Sequence, residues 1–244
     1  MRHGYSFASI LVLAALALVT SPGQAAKPAP VRGTLRGAPQ QVVVGNQLQS
    51  VNATCVLGVI GPPSFPMFYL YPPEDQYYTL IDPAQCECSG SGGVSVSTAH
   101  VMLDFPEACT IPVRVAVVAA DLSDPQCPIP LPGQYLCPPV EHDLSVSEAG
   151  QYDFSLPITA GCCITQKAFL MITFVTGGDC GSWPGLMIDT AVCGCVSYNA
   201  WPGGDLYDLC GTLPGSPVMY VDAACCGVVP ALPQSWGKIK TLYR

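Results

Sequence analysis

Cys180 to Cys210 reads C-G-S-W-P-G-L-M-I-D-T-A-V-C-G-C-V-S-Y-N-A-W-P-G-G-D-L-Y-D-L-C, and the region it opens closes at Cys225-Cys226. Two copies of W-P-G stand in it, Trp183-Pro184-Gly185 and Trp201-Pro202-Gly203. Each follows a cysteine by a few residues and leads through an aliphatic and Asp run to another, Cys193 and then Cys210. Proline presets φ and glycine accepts positive φ, so each copy is expected to form a tight corner that displays an indole. Six cysteines between 180 and 226 can tie such corners to the body of a domain. The expectation is a disulfide-stapled β region carrying two positioned tryptophans.

The rest of the composition agrees. All 14 cysteines lie beyond residue 50: Cys55, Cys86, Cys88, Cys109, Cys127, Cys137, Cys162, Cys163, Cys180, Cys193, Cys195, Cys210, Cys225 and Cys226. They follow an N-terminus with Arg2, an apolar run from Phe7 to Val19 and a small-residue stretch ending at Ala25-Ala26. That order is the pattern of a secretory signal peptide, and an even cysteine count behind it argues for disulfides made outside the cytoplasm. Zinc is the rival use of cysteine, but no C-x-x-C occurs, and only His100 and His142 accompany the cysteines. Cys127 and Cys137 bracket a proline-rich segment and are expected to pair locally. Vicinal pairs such as Cys162-Cys163 are expected to reach two different strands.

With 24 Gly, 25 Pro, 50% apolar and only 11% charged residues, the chain suits many short strands joined by turns. Val94 to Phe105 alternates, then shifts face, which implies a bulge. Ile111 to Ala120 is apolar on both faces, as a central strand is, and Lys167 to Thr176 is another buried strand: its apolar content alone would also suit a helix, but its β-branched and aromatic residues and the Gly177-Gly178 stop favour a strand. Gln41–Val44, Val51–Ile60, Tyr77–Ile81 and Val218–Val221 are further strand candidates. Asp143–Ser147 and Gln151–Leu156 suggest a hairpin, and Asp121–Pro139, with six prolines, a long loop. No amphipathic helix is evident. The fold class expected is all-β: a disulfide-stapled two-sheet sandwich of jelly-roll type. Its parts would be a signal peptide over 1–26, a flexible basic arm over 27–40, a single β-sandwich domain over 41–227, and a linker with a basic tail over 228–244.

Charge is unevenly placed. Between Gly37 and Gly237 stand all 17 Asp and Glu but only Arg114 and Lys167 as cations, a body of about −15. Such a body repels phosphate backbones and speaks against nucleic acid as a partner. It also keeps an apolar-rich exported chain soluble. Calcium is the cation it would attract, with Asp121, Asp124, Asp179 and above all Asp205 and Asp208 as candidate ligands, although no EF-hand spacing occurs.

Catalytic signatures are sparse. There is no G-x-S-x-G; His100 falls mid-strand, and His142 stands in Glu141-His142-Asp143 after a proline-rich loop. No catalytic residue is assigned. A hydrolase using two distant carboxylates, with Glu141 or Asp143 among them, remains a third-ranked reading. Flat aromatic faces beside Asn and Asp suit a pyranose, whose face is apolar and rim hydroxylated. Trp201, Tyr198, Asn199, Asp205, Trp183 and Tyr207 are therefore the candidate ligand-binding residues. The leading expectation is a secreted, non-catalytic module for glycan or another cell-surface ligand. The alternative is a structural or adhesive component of an extracellular assembly, its indoles buried in packing. No transmembrane span is expected after signal cleavage.

The leader, the C-x-C and C-C cysteines, Y-N-x-W-P-G-G-D-L-Y-D and the final W-G-K-I-K-T-L-Y-R together resemble uncharacterised cysteine-rich secreted bacterial β-sandwich proteins with a short W-G-x-I-K-x-L-Y-R tail. The resemblance runs from about Cys86 to Arg244. It implies a sorting or surface-attachment role for Trp236 to Arg244, and it carries no activity onto named residues. Asn52-Ala53-Thr54 is a glycosylation sequon where the host glycosylates.

Overall fold

The computed structural model describes residues 29–35, 54–67, 73–88 and 92–227. The expected signal peptide, Gln41–Val44, Asn52 and the tail lie outside these residues. Among them are fifteen strands and two single-turn 3-10 segments, and no longer helix. In chain order the strands are β1 (Val31–Arg32), β2 (Thr34–Leu35), β3 (Thr54–Gly58), β4 (Phe65–Met67), β5 (Asp75–Ile81), β6 (Val94–Phe105), β7 (Cys109–Asp121), β8 (Ile129–Val146), β9 (Gly150–Ile164) and β10 (Ala168–Phe174). Then come β11 (Gly185–Asp189), β12 (Ser197–Ala200), β13 (Tyr207–Asp208), β14 (Ser216–Pro217) and β15 (Met219–Cys225).

Strands that are apolar on both faces should be central, and β7 and β10 are. β10 lies between β7 and β5, and the first sheet runs β1-β8-β7-β10-β5-β12-β13. Leu170, Ile172 and Phe174 enter the core between the sheets. Phe169 and Met171 instead join Tyr78, Ala116, Val118 and Tyr198 in a second apolar layer on the opposite face. That second layer is why alternation is absent from these strands.

The second sheet is centred on β6. It pairs with β9 along one edge; along the other it meets β11 near Leu103 and β15 from Val94 to Val101. The face shift read in β6 is a register shift between Val96 and Thr98, so Val94 and Val96 point inward before it and Ala99, Val101, Leu103 and Phe105 after it. β15 pairs in turn with β3, and β11 with β4 and β14.

Four antiparallel pairings nest inside one another: β7 with β8, β6 with β9, β5 with β10, β4 with β11. Successive pairs alternate between the sheets, so the connections β6–β7 and β8–β9 cross the sandwich. Asp143–Ser147 and Gln151–Leu156 are therefore not a hairpin. They belong to β8 and β9, which bond to β7 and β6 respectively. Nor is Asp121–Pro139 loop throughout: β8 begins at Ile129, because prolines at an irregular sheet margin need not donate to a ladder, and three register shifts interrupt the β7–β8 pairing.

All 14 cysteines pair. The expected Cys127–Cys137 bridge does not form; Cys127 joins Cys195 and Cys137 joins Cys162. The intervening segment is strand, which carries Cys137 away from Cys127 and up against β9. The vicinal cysteines behave as expected: Cys162 reaches Cys137 and Cys163 reaches Cys226, while Cys225 reaches Cys88. The others are Cys55–Cys86, Cys109–Cys180 and Cys193–Cys210.

Residues 31–35 are not a free arm. β1 runs parallel to β8 at Leu144–Ser145, and β2 runs antiparallel to β9 at Tyr152–Asp153. The chain thus steps from one sheet to the other at Gly33, where a Cβ would stand 2.8 Å from both Phe154 and Tyr152.

Candidate functional site

The second W-P-G forms the corner expected of it. Trp201 O accepts from Gly204 N at 2.9 Å, Pro202 occupies the second position, and Gly203 takes φ 76°, which together define a type II turn. The turn lies in the 201–206 loop between β12 and β13, whose pairing places Asn199 opposite Tyr207 and Tyr198 opposite Asp208. The indole of Trp201 folds over Gly204, where a Cβ would stand 2.1 Å from Nε1, so only glycine fits beneath it. Tyr207 meets the indole edge-on at 5.1 Å. Trp201 is 40% exposed, and Asp205 is exposed beside it.

This loop is anchored rather than loose. Asp208 accepts from Cys195 N at 2.9 Å through Oδ2 and from Cys210 N at 2.8 Å through Oδ1. Cys195 is bridged to Cys127 and Cys210 to Cys193. An exposed indole on a rigid base loses little conformational entropy when a ligand covers it.

The neighbours read with Trp201 go elsewhere. Tyr198 is buried in the outer apolar layer, edge-on to Phe169, with its hydroxyl donating to Pro128 O at 3.0 Å. Asn199 is buried as well, donating from Nδ2 to Asp75 Oδ1 at 2.8 Å and to Gln76 O at 2.9 Å. Burial pushes the Asp75 carboxyl up, against the opposing hydrogen bonds of Asn199, Tyr77 and the Gln76 backbone. Both residues sit in β12 and are buried, one on each face of the sheet, so neither side chain is offered to a ligand. Trp183 is not at a corner: Gly185 opens β11, pairing with Asp104, and has no positive φ. Its ring packs over Gly177 and against the core. The connection that holds it is fixed by Cys109–Cys180, by Glu107 accepting from Ser182 N at 2.9 Å, and by Asp179 accepting from Thr110 N.

The aspartates proposed for calcium are largely occupied by backbone. Asp121 accepts from Ser123 N, Asp124 from Gln126 N and Cys127 N, and both oxygens of Asp208 are used as described. Asp205 and Asp208 are not drawn into a three-ligand group. Among the described residues one such group occurs, Cys109, Asp179 and Cys180, and its two sulfurs are bonded to each other.

His100 has a constellation that one strand could not reveal. On β6, its Nε2 lies 3.0 Å from Asp222 Oδ2 of β15, and its Nδ1 3.3 Å from Ser155 Oγ and 3.8 Å from Asp153 Oδ1 of β9. Tyr220 stacks on the ring at 4.4 Å and donates to Asp153 Oδ2 at 2.9 Å. Burial alone would lower the imidazole pKa, but hydrogen bonds and charge from Asp153 and Asp222 outweigh it and raise it. A histidine raised on folding adds stability fully below its unfolded value of about 6.5 and loses it as pH climbs through the folded value. The stability difference between wild type and His100→Gln, measured by chemical denaturation, should therefore be larger at mildly acidic than at alkaline pH. A difference that grows with pH would contradict this assignment. His142 differs: burial lowers its pKa, partly offset by its hydrogen bond to Pro157 O at 3.0 Å. Glu141 is held by Arg114, whose Nη2 lies 3.0 Å from it while Nη1 reaches Glu74 at 2.9 Å.

No helix among the described residues is long and apolar enough to cross a membrane. No curated protein and no solved structure matches the chain significantly. One family model does match, over residues 47–223, ending before the tail. This match covers most of the sandwich, and the chain belongs to that family, described as Domain of unknown function (DUF7451).

Proposed function

We propose that this protein is an exported, non-catalytic binding module that takes a glycan face at the Trp201 corner. The observation that carries the reading is a partly exposed indole on a type II turn, with Tyr207 edge-on and Asp205 exposed in the same loop. An indole face covers the apolar C–H face of a sugar, while a neighbouring carboxylate accepts from its hydroxyl rim. The ligand set is thus narrowed to Trp201, Tyr207 and Asp205. The nested strand pairing supports a jelly roll, an architecture whose paired sheets carry lectin sites. Seven disulfides support an oxidising compartment, in line with secretion by the N-terminal leader. The carboxylate hydrolase reading has less support, since Glu141 is committed to Arg114.

The test is titration of the exported protein with a panel of soluble polysaccharides, read by tryptophan fluorescence and calorimetry. Binding by the wild type and a loss of roughly tenfold or more in Trp201→Ala are expected, the scale of one well-placed aromatic anchor. Equal affinity of Trp201→Ala and wild type would remove the corner from the site, and a panel without binders would favour the assembly reading.

A further inference from the structure

We infer that Ser155, with His100 as its general base and Asp222 behind the imidazole, is an acyl-accepting nucleophile on the outer face of the second sheet, open to activated esters and thioesters. This goes beyond the glycan reading and does not rest on it: the reaction is uptake of one acyl group per chain, not turnover.

Strand register builds the group. Phe154, Leu156, Val221 and Ala223 point into the core, so the residues between them on β9 and β15 point outward. His100 lies outward on β6, with Ser155 directly across from it on one side and Tyr220 on the other. Asp153 and Asp222 stand two residues further along their strands, within diagonal reach of the same ring.

The positions of the protons follow from the distances. Asp222 Oδ2 lies 3.0 Å from His100 Nε2, and Ser155 Oγ lies 3.3 Å from Nδ1. A neutral imidazole carries one proton, and the nearer carboxylate holds it on Nε2. Nδ1 then accepts, and the Ser155 hydroxyl donates to it. Hydroxyl, imidazole and carboxylate in that order are what an activated serine requires. Tyr220 stacks on the ring at 4.4 Å and fixes its plane. Asp153 adds a second anion: its Oδ2 accepts from Tyr220, while its Oδ1 is buried, has no hydrogen-bond partner among the described residues and stands 3.8 Å from Nδ1. A buried carboxylate oxygen is costly to leave unpaired. It gains a cationic neighbour when the Ser155 proton arrives on Nδ1, so the field is set in advance for that transfer. Ser155 is exposed whereas only 13% of the His100 side chain is, so an electrophile meets the hydroxyl and not the ring.

In the step itself, a bond forms between Ser155 Oγ and the acyl carbon, and the bond from that carbon to the alkoxide or thiolate breaks. The Oγ proton passes to Nδ1 and from there to the leaving group, giving an O-acyl serine and a free alcohol or thiol. Below the pKa of His100 the ring is an imidazolium facing Asp153 and Asp222, with Ser155 and Tyr220 as its other neighbours, and it takes no further proton. Both carboxylates raise that pKa, so reactivity switches on above the ordinary histidine value of about 6.5.

The experiment treats the full exported chain with a fluorophosphonate, in which Oγ–P replaces P–F, and separately with p-nitrophenyl acetate. Adducts are located by mass spectrometry. Wild type should carry one adduct, on Ser155, formed about a hundredfold faster than any on exposed Ser97, the contribution of one well-placed general base. Its rate should follow a sigmoid in pH with a midpoint above about 6.5. His100→Gln should lose both the sigmoid and the rate gain. Asp222→Asn should move the midpoint to lower pH, which a merely structural role for Asp222 would not do. Ser155→Ala, at an exposed position, should keep the wild-type circular dichroism spectrum and take no adduct. Labelling of Ser155 no faster than of Ser97 overturns the proposal, as does a rate that His100→Gln leaves unchanged. Should His100→Gln fail to fold, the wild-type pH profile decides, and a profile without the sigmoid overturns the proposal. Neither reagent is a sugar, so failure here leaves the Trp201 test untouched.

Discussion

Replacing Cys137 and Cys162 together by alanine should destabilise the protein by about 3–4 kcal/mol, read as a fall in the guanidinium midpoint under non-reducing conditions. These cysteines are 25 residues apart, and the chain-entropy cost of leaving such a loop open is of that size. Position enlarges the effect. No backbone ladder joins β8 to β9, so the bridge is the covalent tie between two sheet margins, and both sulfurs are buried. The matching replacement of Cys193 and Cys210 is the control. That bridge closes a loop of 17 residues beside Trp201, and its loss should loosen the corner more than the sandwich. Equal midpoints for the Cys137/Cys162 variant and the wild type would mean that side-chain packing alone holds the seam.

Phe154→Ala should cost about 3–5 kcal/mol, the range for deleting a large aromatic from a well-packed core. Phe154 is fully buried, lies 5.7 Å from the ring of Phe105 and 6.1 Å from Tyr152, and forms the floor on which Gly33 rests. The cavity would open on the side of the core that residues 31–35 cover, so protection of the β1 and β2 amides against hydrogen exchange should fall with it. Tyr135→Ala, at an exposed position, should change stability by no more than about 0.5 kcal/mol. Urea denaturation of both variants checks the pair; a loss below about 1 kcal/mol for Phe154→Ala would place that ring outside the rigid core.

Local signals in this chain are legible where one strand carries the whole message. β7 announces itself as central, and β10 as buried, because both of their faces meet apolar layers. The bulge in β6 was visible because inward positions change parity on either side of Ser97. The turn at Trp201 was legible because Pro202 and Gly203 dictate its dihedrals without help from elsewhere. The identical tripeptide at Trp183 does not form the expected corner, because Gly185 is drawn into β11 and pairs with Asp104 of β6. Tyr198 and Asn199 resemble ligand residues through proximity to Trp201, but on β12 they point to opposite faces of the first sheet and both are buried, Tyr198 in the outer apolar layer and Asn199 against Asp75.

Composition and order along the chain by themselves determined an all-β sandwich closed by disulfides, because turn residues, strand periodicity and cysteine parity are local properties. Only the tertiary structure decided which sulfurs meet, which histidine is caged by carboxylates, and which aromatic stays at the surface. The histidine cage depends on strand register between segments more than fifty residues apart: Ser155 and Tyr220 flank His100 only after β9 and β15 are laid against β6. Pairing partners are set by burial summed over two whole sheets, and no single stretch of sequence contains that sum.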